Sequence, residues 1–530
     1  MNLLTFASLQ SRVVLFILCT LFPCFQPPAH GDNLGQKTIT MYAPYAEFSL
    51  SNISYPGNAF DLVAKATFTH HASGEQRTTG MFYDGEATWK FRFTGVKTGL
   101  WNFITISKNS DFDGHTGSVS VLPNPNAAIE GFLSHQGNQF AIQKGDDAHL
   151  EGYSFTVFMN HKLGKGKGWL FHQLGADLKT AEKAWDSYLD NVFANGFEIV
   201  HLNVGNSWFN YPAYSSEEHS STNPDITTFR ILETCIQKAH ARGGRVHIWA
   251  WGDHARKATP INVGGINGRA DQRVQRYIAA RLGPLPGWTM GYGFDLWEWT
   301  TLGQIEAWAT YLYDHFGWQH LLSARGWEIT STPATIIAYG SFGADVISTT
   351  AHGPRSYNEI TNDIRSNTKH PHLYEERHTY KRPEFKLDME GTRRMLWQQT
   401  MAGGMGGFFG FYNSSPHPYP KPEQLRTHYT FWHKKRRFVL GMTTANSLSN
   451  GYCLTDREYK RYVFYGEDIY FLHMDLSHMG TDNQPAIAVD LAAEYKEIDL
   501  GLLSATRHTW RAPYRSDWAI AVGSFYKKPG

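Results

Sequence analysis

Apolar and polar residues alternate with a period of two at both ends of this chain. The alternating runs between residues 37 and 124 are short and are separated by turn residues, and the same pattern returns after about residue 441. Short strands separated by turns at this spacing are typical of β-sandwiches. We therefore predict an N-terminal β-sandwich over residues 35–125 and a C-terminal β-sandwich over residues 441–530.

The middle of the chain follows a different pattern, in which short apolar runs alternate with amphipathic helical segments. This order predicts βα units and a parallel sheet. The candidate strands are residues 154–159, 197–204, 245–251, 287–295, 321–323, 345–350, 372–376 and 406–412, of which the fifth has the weakest pattern. Eight such strands are the number in a TIM barrel, so we predict a (β/α)8 barrel over residues 135–440.

Two of the predicted barrel strands end in carboxylates. The aromatic run over residues 287–300 reaches Asp295 and Glu298 and then enters a helical pattern, and residues 370–378 contain Glu375 and Glu376. Strands of a parallel barrel all end on the same rim. Two carboxylates at one rim are the minimum needed to hydrolyse a glycosidic bond.

Three segments resemble one family of enzymes. Residues 82–103 resemble the Ig-like module that precedes many apiosidase-like glycoside hydrolases. Residues 389–412 resemble the last helix and strand of their barrels, and residues 514–518 resemble the end of their C-terminal sandwich. The resemblance covers nearly the whole mature chain and implies a TIM-barrel hydrolase of a retaining clan, flanked by two β-sandwiches.

The same resemblance implies roles for the carboxylates. In that clan the acid/base ends strand four as an Asn-Glu pair, and the nucleophile is a Glu at the end of strand seven. Glu376 stands in the nucleophile position. Strand four departs from the pattern, so the acid/base is Glu298 or, as the alternative, Asp295. The missing Asn removes a usual partner of the sugar's 2-hydroxyl and leaves the identity of the sugar open.

The neighbours of the two glutamates favour the same roles. Trp297 and Trp299 flank Glu298, and apolar neighbours raise the pKa of a carboxyl group, which suits a general acid. Arg377 and His378 follow Glu376, and positive charge favours the ionised form that a nucleophile needs. Adjacent residues of a strand point to opposite sides, so only one of the glutamates at 375 and 376 faces the cleft.

The loops at the predicted rim carry many polar and aromatic residues that we expect to contact substrate. The predicted substrate contacts are Trp249, Trp251, His254, Arg256, Asp295, Trp297, His352, Arg377 and His378, with Asp253, Lys257, Arg355, Lys381 and Arg382 nearby. Because this rim is basic, it favours an anionic polysaccharide, either sulfated or uronic. Solvated loop charges are the alternative interpretation.

The composition excludes several other functions. The 49 basic and 48 acidic residues nearly cancel, which gives no indication of nucleic-acid binding. The sequence has no His-Glu-x-x-His, no Cys-x-x-Cys and no Gly-x-Ser-x-Gly, so we predict no metal, no cofactor and no esterase. Seventeen Trp in an aromatic content of 15% are compatible with large β-rich cores and with sugar-stacking platforms.

Residues 1–31 have the pattern of a secretory signal peptide, with Arg12 before a short apolar run. We therefore predict a secreted or periplasmic protein without a membrane span. Phe22 and Pro23 stand where a lipoprotein signal needs small residues, so lipidation is disfavoured. Removal of the signal leaves Cys235 and Cys453, which we expect to be buried free thiols, with one long-range disulfide as the alternative.

These patterns predict a secreted glycoside hydrolase that acts with retention on a polysaccharide or oligosaccharide. A barrel that binds polysaccharide without cleaving it is the main alternative, since the altered strand-four motif is compatible with a decayed site. A lyase is the third. The sequence leaves open the sugar, the linkage, endo or exo action and the oligomeric state.

Overall fold

The computed structural model describes most of the chain beyond the predicted signal peptide. The described residues are 31–43, 45–126, 128–146, 149–153, 155–159, 178–209, 222–252, 258–293, 296–328, 346–350, 356–374, 388–404, 406–410, 421–435, 438–480 and 482–525. The signal peptide prediction falls outside them. No helix in these ranges is long and apolar enough to cross a membrane.

Eight strands form two packed sheets at the N-terminal end. They are β1 (Asn33–Thr40), β2 (Ala46–Ser51), β3 (Ala64–His70), β4 (Gln76–Gly80), β5 (Phe82–Tyr83), β6 (Thr88–Phe93), β7 (Gly99–Ser107) and β8 (Thr116–Leu122). The sheet orders are β1-β8-β7-β3-β4 and β2-β6-β5. Alternation turns one face of each sheet inward, where Phe48 and Phe103 meet with ring centroids 4.7 Å apart. The predicted sheet-rich N-terminal region is confirmed.

A small antiparallel sheet, which the sequence patterns did not predict, precedes the barrel. It consists of β9 (Leu133–Gln136), β10 (Gln139–Lys144) and β11 (His149–Gly152). Its apolar side chains, Phe140 among them, share one buried cluster with Ile199, Leu321 and Leu373 of the barrel. The sheet therefore closes the end of the barrel at which the strands begin.

The barrel is closed by eight strands in the order in which they occur along the chain. They are β12 (Thr156–Met159), β13 (Ile199–Asn203), β14 (Arg245–Trp249), β15 (Trp288–Gly291), β16 (Leu322–Glu328), β17 (Val346–Thr350), β18 (His372–Tyr374) and β19 (Gly406–Gly410). Every neighbouring pair is parallel. Each strand overlaps one of the eight predicted runs, and β16 extends further than its weak pattern indicated.

Helices lie between the barrel strands, and one more follows the last strand. They are α1 (Leu178–Ala194), α2 (Ile226–Ala241), α3 (Arg269–Arg281), α4 (Leu302–His315), α5 (Tyr357–Ser366), α6 (Met389–Met401) and α7 (Pro422–Tyr429), the last continued by a π-helical turn, Thr430–Lys434. Asp225 caps α2 by accepting a hydrogen bond from the Thr228 backbone N–H. Val200, Leu202, Val246 and Ile248 face the helices in one large core.

One continuous sheet forms the C-terminal region, where we expected a β-sandwich of two sheets. Its strands are β20 (Thr443–Thr444), β21 (Tyr452–Thr455), β22 (Tyr462–Asp475), β23 (Gln484–Asp490), β24 (Glu497–Leu503) and β25 (Arg507–Val522), in the order β20-β21-β22-β25-β23-β24. The register of β22 and β25 shifts between Gly466 and Ile469. Such irregularities bend strands, and residues from both halves of β22, Phe464 and Met474, share one core.

Buried charges join the three regions. Arg92 of β6 and Arg281 of α3 both donate to Glu233 of α2, and Asp517 of β25 accepts from Arg393 and Arg394 of α6. Cys235 and Cys453 are buried free thiols, as predicted, and burial raises the pKa of both.

Candidate functional site

The interior of the barrel changes from apolar to polar along the direction of its strands. At the end closed by β9–β11, the interior is filled by Leu133, Phe140, Phe155, Ile199, Leu321 and Leu373. Above them, His247, Thr289 and Ser323 line a small cavity of about 10 Å³ together with the same apolar residues. Apart from the buried pair of Arg245 and Glu130 at the closed end, the polar groups therefore collect towards the C-terminal ends of the strands, the end at which parallel barrels hold their active sites.

Four residues in register form the uppermost described layer of the interior. Asn203 is paired with Trp249, Trp249 with Gly291, and Gly291 with Ser323 across β13 to β16. A Cβ atom on Gly291 would lie 2.9 Å from Ser323 Oγ and 3.1 Å from Trp249 Cδ1. Glycine at this position therefore gives the indole of Trp249 room to extend along the interior.

The residues below this layer are histidines. The His201 ring lies 4.1 Å from the Trp249 ring, at 74° to it, and 6.1 Å from the ring of His247. The Nδ1 atom of His247 is 2.8 Å from Thr289 Oγ1, within hydrogen-bonding distance. These residues hold the indole from beneath, so Trp249, one of the predicted substrate contacts, lies in the floor of the polar end.

Asn203 was missed at the sequence level. It ends β13, its side chain is 2% exposed, and neither atom of its amide has a hydrogen-bond partner among the described residues. A buried polar group without a partner is unfavourable and is uncommon in folded proteins. The available signal was the period of two, which gives Asn203 the inward direction of Ile199.

Glu298 lies on the predicted side of the barrel. It ends a 3₁₀ turn, Leu296–Glu298, in the connection between β15 and α4, and its side chain is exposed. The turn packs against β16. A carboxylate is therefore present at the C-terminal end of the fourth barrel strand and is accessible to solvent.

The environment predicted for Glu298 is corrected in one respect. Trp299 is 6% exposed and lies in the core of the barrel wall, with its ring 5.5 Å from that of Tyr292. Its indole therefore packs inside the wall, because a large apolar ring gains more from the core than from a loop. The Glu298 side chain stays exposed beside it, where the flanking indoles predicted an apolar surrounding.

Trp251 is also a structural residue, which corrects the prediction that it contacts substrate. Its side chain is 1% exposed, and its indole N–H donates to Asp271 Oδ1 of α3 at 3.3 Å. The same carboxyl group accepts from the hydroxyl of Tyr292 at 2.9 Å. Burial raises the pKa of Asp271. Trp251 thus joins a strand end to a helix and faces away from the interior.

Most of the remaining predicted site residues lie outside the described residues. For one of them, only the backbone is described. They are Glu376, Asp295, His254, Arg256, His352, Arg377, His378 and the side chain of Trp297. Their roles stay predictions. Within the described ranges, no three or more His, Cys, Asp or Glu side chains are grouped so that they could hold a metal ion.

Comparisons with known proteins bear on the fold. Residues 40–108 match the model of a domain of unknown function, DUF5060. No curated protein matches the chain. A solved structure of a candidate glycoside hydrolase from Bacteroides vulgatus superposes with a TM-score of 0.69 at 15% identity, covering 92% of this chain and 100% of that one.

A family 5 glycoside hydrolase from Bacteroides vulgatus superposes with a TM-score of 0.55 at 13% identity, covering 76% of this chain and 96% of that one. A third structure, described as a glycoside hydrolase, has a TM-score of 0.55 at 12% identity, with 76% and 98% covered. This chain therefore shares its fold with glycoside hydrolases. At these identities the likeness concerns the fold alone.

Proposed function

We propose that this protein is a glycoside hydrolase whose active site lies at the C-terminal end of the barrel. The observation that carries the proposal is an exposed carboxylate, Glu298, after the fourth strand of a closed barrel whose fold is shared with glycoside hydrolases. The polar upper layer with Asn203 and Trp249 lies at the same end of the strands. The place of both features agrees with a TIM-barrel hydrolase, whose active site lies at the C-terminal ends of the strands.

In the proposed mechanism, Glu298 protonates the leaving oxygen and Glu376 attacks the anomeric carbon. The resulting glycosyl ester is hydrolysed by water that the ionised Glu298 activates, which gives retention. Asp295 is the alternative acid. The resemblance to apiosidase-like enzymes supports these assignments, and it also supports the Ig-like character of the N-terminal module.

The choice between Glu375 and Glu376 has opposing arguments. Leu373 of β18 belongs to the buried cluster in the barrel interior. A period of two continued from Leu373 predicts Glu375 for the inward side, whereas the resemblance assigns Glu376. We therefore propose to test both positions, with Glu376 as the favoured nucleophile.

The first test measures reducing ends released from a panel of neutral, uronic and sulfated polysaccharides. Glu298→Gln and Glu376→Gln should each lower kcat/KM by about 10² to 10⁴ on the substrate that the wild type cleaves. The matched control is Glu306→Gln, an exposed carboxylate on α4, which should retain wild-type activity. A Glu375→Gln variant that loses activity while Glu376→Gln retains it would move the nucleophile by one residue.

Two further measurements address the finer assignments. The first anomer seen by proton NMR should have the configuration of the substrate, and the opposite anomer would contradict retention. For an anionic polysaccharide, KM should rise steeply with added sodium chloride, since salt screens charge attraction. A KM independent of salt would contradict the anionic substrate. Retention of polysaccharide in an affinity gel without any cleavage would favour the non-catalytic binding protein.

A further inference from the structure

The amide of Asn203 stands out among the buried polar groups of the barrel. It lies in the upper layer of the interior, in register with Trp249, at the end of the strands where the proposed site lies. Both its Nδ2 and Oδ1 atoms are buried without a hydrogen-bond partner among the described residues. In the turn that follows, Ser207 is 1% exposed and its Oγ atom also has no partner in that part of the chain.

An unpaired buried amide lowers stability, because its desolvation is not compensated. The position itself does not require a polar residue, since the same interior also accommodates apolar and aromatic side chains, Ile199 further down the same strand and Trp249 beside it in the same layer. A leucine of similar size would fill the same space without unpaired polar atoms. The arrangement is therefore explained better by a ligand than by folding.

The chemistry of the amide indicates what the ligand is. An asparagine side chain offers two donor hydrogens and one acceptor oxygen side by side. Vicinal hydroxyl groups of a sugar each donate and accept one hydrogen bond, so they can satisfy both ends of the amide. The neighbouring indole of Trp249 is itself buried in the apolar cluster of the interior, so the polar contacts of the ligand fall to the amide.

We infer that Asn203 is a substrate-binding residue that holds two neighbouring hydroxyls of a pyranose at the C-terminal end of the barrel. The inference rests on the proposed function for the identity of the ligand as a sugar, but it concerns binding and requires no cleavage. It makes Asn203 a determinant of specificity, because a sugar without the matching hydroxyl pair leaves the buried amide unpaired.

The test uses the full chain and Asn203→Leu. The readout is the increase in Tm that D-xylose, D-glucose, D-glucuronic acid and D-galacturonic acid each produce, since a ligand that binds the folded state stabilises it. At least one sugar should raise the Tm of the wild type, and Asn203→Leu should bind that sugar about tenfold more weakly through the loss of two hydrogen bonds. Without sugar, Asn203→Leu should be as stable as the wild type or more stable.

The matched control is Asn52→Leu in the N-terminal sheets. Asn52 is also buried, but its amide donates to Asp111 at 2.7 Å and accepts from the Ser54 backbone at 2.9 Å. Asn52→Leu should lower the Tm and leave sugar binding unchanged. Opposite effects on stability from the same substitution separate a group kept for binding from one kept for folding.

Two outcomes would overturn the inference: wild-type sugar affinity in Asn203→Leu, or no protection of the wild type by any of the four sugars. Protection without hydrolysis of any polysaccharide would contradict the proposed function and leave the inference supported. Hydrolysis of a polysaccharide with an unchanged KM in Asn203→Leu would support the proposed function and contradict the inference.

Discussion

Among single residues, the buried polar groups of the barrel differ in whether they have hydrogen-bond partners. Asn203 has no hydrogen-bond partner in the part of the chain that the structure describes, whereas Asp271 has donors around its carboxyl group and His320 lies within hydrogen-bonding distance of two carbonyl oxygens. A satisfied buried group contributes to a unique fold, and an unsatisfied one indicates another use. The partners of a polar group, and not its burial alone, therefore separate structural from functional candidates.

His320 provides a test through pH. Its ring stacks on Trp288 with centroids 4.1 Å apart, and burial lowers its pKa to about 4 from 6.5. Because the unfolded chain takes up the proton first, the stability from the neutral ring is complete above about pH 6.5 and is lost as the pH falls towards 4. His320 alone should make unfolding about 2 kcal/mol easier at about pH 5 than at about pH 7.

Guanidinium denaturation at the two pH values measures this difference. His320→Gln should be less stable throughout, because it loses the stacked ring, but its stability should depend on pH less than that of the wild type. The control is His315→Gln on α4, which is only partly buried and should keep the wild-type dependence. An unchanged pH dependence in His320→Gln would contradict the assignment.

At the scale of elements, the start of α4 fixes the position of the candidate acid. Thr301 follows the turn that carries Glu298 by three residues, and it forms a capping box with Gln304 in which each side chain bonds the backbone of the other residue. These bonds satisfy N–H groups that a helix start leaves without partners. The connection between β15 and α4 is thereby anchored on its helical side.

Thr301→Ala should lower the free energy of unfolding by about 1 kcal/mol, the usual value of an N-cap. It should also lower kcat more than it raises KM, because the exposed Glu298 loses part of its anchoring. The control is Thr310→Ala, an exposed position on the same helix, where alanine should be neutral or slightly stabilising. Equal kinetics in both variants would exclude a positioning role for the cap.

The elements also differ in how far their sequence could predict them. The eight barrel strands were predictable because parallel strands covered by helices are continuous apolar runs. The sheet β9–β11 was missed although Phe140 and Ile142 are fully buried, since short runs before the barrel gave no indication of what they cover. The single C-terminal sheet was not predictable either. A bend in one long strand leaves the period of two intact on either side, so the sequence pattern resembles that of two separate sheets.

At the scale of the whole molecule, buried ion pairs connect the N-terminal sheets to the barrel. Glu233 accepts from Arg92 Nη1 at 2.5 Å and from Arg281 Nε at 2.5 Å, and all three side chains are almost completely buried. The two guanidinium groups hold the pKa of Glu233 below its usual value despite the burial. The N-terminal region is therefore expected to unfold together with the barrel.

Glu233→Gln should lower the free energy of unfolding by about 3 to 5 kcal/mol, because it leaves buried guanidinium groups without a compensating charge. Glu494→Gln breaks an exposed pair with Arg426 and should cost less than about 1 kcal/mol. Denaturation followed by fluorescence measures both. Equal small losses would show that the buried network does not couple the two regions.

The sequence alone determined the order of regions, the barrel strands and the position of Glu298 after the fourth strand, because these follow from local periodicity and from the common direction of parallel strands. Tertiary structure decided which side chains face the interior. Trp249 and Trp251 lie two residues apart, yet one extends over Gly291 in the interior and the other bonds Asp271 in the wall. Asn203 became a candidate for substrate binding for the same reason. A missing hydrogen-bond partner depends on the surrounding side chains, which the position of a residue along the chain does not reveal.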